Sequence, residues 1–160
     1  MKALFQTVVV AVSGSEASIC AAKYGIAMAK LYRSRLVAVY VVDTATLREL
    51  LLSKIFVEDE SLEYEKSLRE NGQRYLNYVE ELSQKKGVAV EKLLRRGAVS
   101  TEIIHAAEES EADLILLGGF EEKGGVRDAL SRQHREILNH AKCSILVVKE
   151  PDVDFLYRRL

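Results

Sequence analysis

Two hydrophobic periods alternate along this 160-residue chain. Thr7-Val-Val-Val-Ala-Val12 is a β-branched run without a polar face, the pattern of a strand buried on both sides. Ser13-Gly14-Ser15 closes it, and Ser15, or Ser18, can cap the helix that follows to about Tyr32. Ile19, Ala22, Ile26 and Ala29 recur there at spacings of three and four and share one face. Residues 35–42 predict a second strand ending at Asp43. Thr44 or Thr46 starts a short helical piece through Leu52, and residues 56–60 read as a loop. A long helix is expected over about 61–85, with Tyr64, Leu68, Tyr75, Val79 and Leu82 as its apolar stripe. Gly72 sits on that stripe, which fits close packing of the helix on a sheet, and Gly87 fits a C-terminal cap. Residues 88–94 alternate weakly, as an edge strand does, and Arg95-Arg96-Gly97 ends them. Ser100 or Thr101 is expected to cap a helix carrying Ile103, Ile104 and Ala107.

Asp113 opens the most informative stretch. Leu114-Ile-Leu-Leu117 is wholly apolar and stops at Gly118-Gly119, with Gly124 and Gly125 close behind. A helix follows over about 126–140, and Ser144-Ile-Leu-Val-Val148 is a fifth strand. Strand, glycine-rich loop, helix, strand is the arrangement that cradles phosphate in doubly wound folds. Two residues of that loop, Glu121 and Glu122, carry the wrong charge for it. Throughout, strands and helices take turns, which predicts an α/β fold with a parallel sheet and helices on both faces. Residues 1–150 read as a single domain and 151–160 as a tail, with Phe155, Leu156 and Tyr157 set among charges.

Composition narrows the class. The net charge of −1 gives no global field for nucleic acid or for an acidic membrane surface. No apolar run approaches the roughly 18–20 residues of a membrane span, and the run ending at Val12 has no cleavage-type end, so a cytoplasmic protein is expected. Cys20 and Cys143 have no metal-type spacing and read as packing residues.

Candidate chemistry is sparse. Ligands of a doubly wound sheet sit beyond the carboxyl ends of its strands. The loops available there hold Ser13, Gly14, Ser15, Val41 with Asp43, Gly97, Gly118, Gly119 and Gly124, and Arg127 opens the next helix. None of them completes a Walker or dinucleotide fingerprint. His105, His134 and His140 lie on predicted helices and read as structural, and no serine has a histidine beside it in sequence. No catalytic constellation and no metal site is expected.

Several motifs together resemble one family. Val8-Val-Val-Ala-Val-Ser-Gly-Ser-Glu16, the strand ending Val41-Val-Asp43, Arg96-Gly97, Ala112-Asp-Leu-Ile-Leu-Leu-Gly118 and His140-Ala-Lys-Cys-Ser-Ile-Leu-Val-Val148 occur in the order found in the universal stress proteins. That resemblance implies a five-stranded parallel sheet of the adenine nucleotide alpha hydrolase-like type, in the order 3-2-1-4-5. It also implies a homodimer joined through the strand Ser144–Val148.

One branch of the family binds ATP through a Gly-x-x-Gly and a later Gly-Ser/Thr; the other lacks the pattern. Here Gly118 keeps the first glycine, but Glu121 stands at the second, and Ser131 and Arg132 replace the later pair. Ser13 replaces the aspartate that contacts adenine in ATP-binding relatives, while Gly97, Gly124 and Arg127 still fit. The resemblance therefore implies a dimeric, non-catalytic stress-response or signalling module with a degraded nucleotide site, no committed cofactor and an unnamed protein partner. The alternative is an ATP- or AMP-binding relative using the same crevice, with Glu121 holding Mg²⁺ or with Lys123, Arg127 and Arg132 offsetting the acids. The tail is expected either to reach across the partner or to fold back over its own edge.

Overall fold

The computed structural model describes residues 3–119 and 127–160, with side chains for 3–119 and 132–160. Five parallel strands form one sheet in the order β3-β2-β1-β4-β5. They are β1 (Thr7–Val12), β2 (Arg35–Asp43), β3 (Val90–Gly97), β4 (Leu114–Gly118) and β5 (Ser144–Val148). The helices between them are α1 (Glu16–Tyr32), α2 (Thr44–Leu52), α3 (Glu58–Gln84), α4 (Val99–Glu109) and α5 (Arg127–His140), and α6 (Val153–Arg158) follows β5. Among the described residues no helix is long and apolar enough to cross a membrane.

The period of two explains the layers. Val8, Val10, Leu36, Ala38 and Leu116 face α1 and α3, where Ala22, Ile26, Leu76 and Val79 meet them. Val9, Val37, Val39, Ile115 and Leu117 face the other way, against Ile103 and Ala106 of α4 and Ile137 of α5. Val8, Val9 and Val10 are wholly buried, and each such side chain contributes about 1.5–3 kcal/mol. Asp113 fixes the register of the middle strands. Its carboxylate accepts from the amides of Gln6 and Thr7, both at 2.9 Å, and its own amide donates to Thr7 O at 2.8 Å. Cys20 and Cys143 are free thiols packed against the two core layers, and burial raises both pKa values.

Four local expectations are corrected. α3 starts at Glu58, inside the expected loop; Val57 offers no side-chain cap, but Glu58, Asp59 and Glu60 place negative charge on the helix's positive end. Leu76, not the exposed Tyr64, completes its buried stripe. β3 begins two residues late, because Val88 is tied to the end of α3: its amide donates to Ser83 O at 3.0 Å and its carbonyl accepts from Ser83 Oγ at 2.6 Å. Ala98, not Ser100 or Thr101, is the cap residue of α4, and the Ser100 hydroxyl instead donates to Glu136 at 2.5 Å.

The tail is helical and folds back on its own chain. Val153 is buried, Lys23 pairs with Asp154 at 2.5 Å, and the Tyr157 hydroxyl donates to Leu82 O at 2.7 Å. It therefore packs on α1 and the end of α3, not outward toward a second chain.

Gly72 holds α3 against the sheet. A Cβ there would lie 2.5 Å from the Tyr40 ring and 2.9 Å from Leu94 Cδ1, and Tyr40 is itself buried. Gly72→Ala would gain about 1 kcal/mol of helix propensity, yet the overlap costs roughly 1–3 kcal/mol. We expect net destabilisation, read as a lower urea midpoint at unchanged slope.

Candidate functional site

A doubly wound sheet opens where its connections change direction, which here lies between β1 and β4. A cavity of about 180 Å³ occupies that point at the strands' carboxyl ends. Val12, Ser13 and Ser15 wall it on one side, Val41 and Asp43 on the second, and Leu117, Gly118 and Gly119 on the third. Val99 and Ile103 of α4 and Gln133, His134 and Ile137 of α5 close it, with Tyr40 and Leu68 also reaching it. Burial, with Tyr75 and Tyr64 nearby, pushes the Tyr40 phenol up, so it stays neutral.

The turn after β1 is bonded within itself. Gly14 takes φ +85°, which only glycine adopts at little cost, and the Tyr75 ring packs where its side chain would be. Ser15 caps α1, its hydroxyl accepting from Ser18 N at 3.1 Å. The Ser18 hydroxyl donates to Ser15 O at 2.9 Å and accepts from Ser13 N at 3.1 Å, and the Ser13 and Ser15 hydroxyls lie 3.1 Å apart. The acid at the rim is also engaged: the Asp43 carboxylate caps α2, accepting from Thr46 N at 3.0 Å and Thr46 Oγ1 at 2.7 Å.

Five of the residues expected at the crevice therefore come together: Ser13, Ser15, Val41, Gly118 and Gly119 line it directly. Gly14 shapes the turn behind them. Gly97 is not in the wall; it ends β3 at φ +140°, against the Glu102 side chain. Gly124, like Glu121 and Glu122, lies outside the described residues, and Arg127 contributes only the backbone that opens α5.

Sequence reasoning read His134 as structural but did not place it in the crevice wall. Its Nε2 donates to Gly118 O at 2.9 Å, fastening α5 to the end of β4. The available signal was its spacing of three from the buried Ile137, which puts both on one helix face. His134 Nε2 is bonded to a backbone carbonyl, and the serines are bonded to one another. The described residues include no group of three or more His, Cys, Asp and Glu side chains able to hold a metal ion. His105 and His140 line a separate groove between α4 and α5.

Comparison with known proteins agrees with this geometry. Residues 4–149 match the sequence model of the Universal stress protein family. Universal stress protein MJ0531 of Methanocaldococcus jannaschii is 31% identical over 148 residues, 92% of this chain and 84% of that protein. The crystal structure of a universal stress protein family member from Burkholderia pseudomallei has a TM-score of 0.72 at 24% identity, covering 94% of this chain and 100% of that one. The universal stress protein from Archaeoglobus fulgidus in complex with dAMP has a TM-score of 0.62 at 16% identity, covering 92% and 100%. At these identities the two solved structures support the fold.

Gly118 sets the depth of the crevice. A Cβ on it would lie 2.6 Å from the Ala17 carbonyl carbon and 2.9 Å from Ser18 N, both backbone atoms of the first turn of α1. Backbone cannot swing aside as a side-chain tip can. Gly118→Ala should push α1 off the strand end and destabilise the fold by about 2 kcal/mol or more. Thermal melting of the variant beside the wild type checks this.

Proposed function

The chain belongs to the universal stress protein family, and on that premise we propose that it is a dimeric, non-catalytic stress-response module whose crevice holds adenine nucleotides only weakly. The observation that carries this reading is the closed serine network at the end of β1. Ser13 stands where an acid would receive a base's amino group, and its hydroxyl already faces Ser15 at 3.1 Å. Asp43, the carboxylate nearest by, is committed to its helix cap. On the phosphate side the sequence places Glu121 and Glu122. Two like charges about 4 Å apart repel by roughly 1 kcal/mol in water and about 4 near a protein surface.

A second reading, nucleotide binding in the same crevice, draws on the cavity itself and on the dAMP in the Archaeoglobus fulgidus structure. Calorimetric titration with Mg-ATP separates the two. We expect a dissociation constant weaker than about 0.1 mM at physiological salt, and tighter binding when Glu121→Gly and Glu122→Gly are combined. A micromolar constant for the wild type would favour the second reading.

Self-association is the other half of the proposal. Among the described residues β5 lies at the sheet edge, with no strand on its outer side and no guarding charge within it. Pairing with the same strand of a second copy about a two-fold axis would cover both edges. Val148 is buried in the core, so lysine there would unfold the chain and not report on the interface. Leu146, only half-buried, is the better probe. Light scattering at low micromolar concentration should give a dimer mass for the wild type and a lower one for Leu146→Lys, with the melting temperature as the control for folding.

A further inference from the structure

The opposite end of the sheet, where the strands begin, carries a second concavity unlike the crevice. It is a groove of about 660 Å³ between the end of α1, the end of α3 and the starts of β2 and β3. Small-molecule sites measure roughly 300–1,000 Å³. Lys30, Arg33, Arg35 and Lys86 line it, and Glu91 is the one acid in its wall. The protein as a whole has a net charge of −1, so this positive surface is local.

Helix ends account for part of that charge. α1 and α3 both point their C-termini here, and cations complement such ends, each worth about half a negative charge. Four cations against one carboxylate and two helix ends leave a surplus of roughly two positive charges. Arg35 pairs with Glu91. Lys86 meets no acid among the described residues: its Nζ is 3.4 Å from Arg158 O and 4.7 Å from the centre of the Tyr157 ring. Those contacts hold the ammonium in place without neutralising it. Lys30 and Arg33 are exposed and have no ion-pair partner among the described residues.

Two backbone features mark the same groove. Arg33 caps α1 in the left-handed region, at φ 56°, a position where glycine is the low-cost residue. Gly87 takes φ +70°, and a Cβ placed on it would touch nothing within 4 Å, so the backbone lies open to a ligand. A planar guanidinium matches two phosphate oxygens at once, and an ammonium on the opposite wall adds a point charge.

We propose that this groove binds a soluble small molecule carrying two or more phosphate groups, at a site separate from the crevice.

Inorganic tripolyphosphate is the probe, titrated into the full chain at about 0.15 M salt and followed by calorimetry and amide chemical shifts. Saturable binding with shifts centred on residues 30–36 and 86–91 is expected. Lys30→Gln combined with Arg33→Gln should weaken it about tenfold or more at unchanged melting temperature. The proposal is overturned by an absence of saturation up to about 5 mM, by shifts centred on residues 13–18 and 118–119, or by undiminished affinity in the double variant. Arg33-dependent binding to anionic lipid vesicles without binding of tripolyphosphate would overturn it as well. Only the shifts at residues 13–18 and 118–119 report on the crevice; the other outcomes do not depend on how tightly it holds ATP.

Discussion

Everything in this fold follows from the need to keep β1 dry on both faces. Val8, Val9 and Val10 point alternately to the two sides of the sheet, and each is fully buried. A strand without a polar face cannot lie against water, so helices must cover both surfaces. Helices reach both surfaces when the strands are parallel and the crossovers between them run first to one side of β1 and then to the other. The reversal occurs beside β1, which is why the cavity between β1 and β4 exists at all. The crevice is thus a by-product of burial, and its chemistry is set separately by whichever residues happen to end those strands.

Elements whose causes are local were legible from the sequence. The runs of β1, β4 and β5, the apolar face of α1 and the Ser15 cap all rest on neighbours within a few residues or on periodicity, and periodicity also put Gly72 on the stripe of α3 that packs on the sheet. Elements set by other means were not. α3 begins at Glu58 through a dipole effect of its acidic first turn, which no capping residue announces. Ser100 looked like a cap because its partner, Glu136, lies on another helix. Val88 looked like the first residue of a strand because its own part in the tie to Ser83 is played by backbone atoms. His134 was read as structural, but its place in the crevice wall was not seen, because it bonds a carbonyl that no side-chain pattern encodes. At the site, five of nine expected residues were found in the wall, since strand ends can be located from the length of apolar runs.

The two ends of the sheet differ in electrostatic character. At the carboxyl end, the serine hydroxyls and His134 are bonded inside the protein, Asp43 is engaged by Thr46, and Gln133 adds a neutral amide to the wall. At the amino end, cations stand exposed around a groove with a single acid. Family membership speaks to the first end and is silent on the second, where the charge distribution of this particular chain has to be read directly.

The docking of α6 has a consequence for the order in which the molecule can be completed. The helix joins Lys23 of α1 to the end of α3 at Leu82, two segments far apart in the chain. It is also synthesised after all five strands. Until residues 153–158 dock, Lys23 on the flank of α1 has no Asp154 to pair with, and the charge of Asp154 is not yet near the Cys20 thiol. Docking of the helix that follows β5 is therefore what closes that flank of α1, after the strands on which it rests have been made.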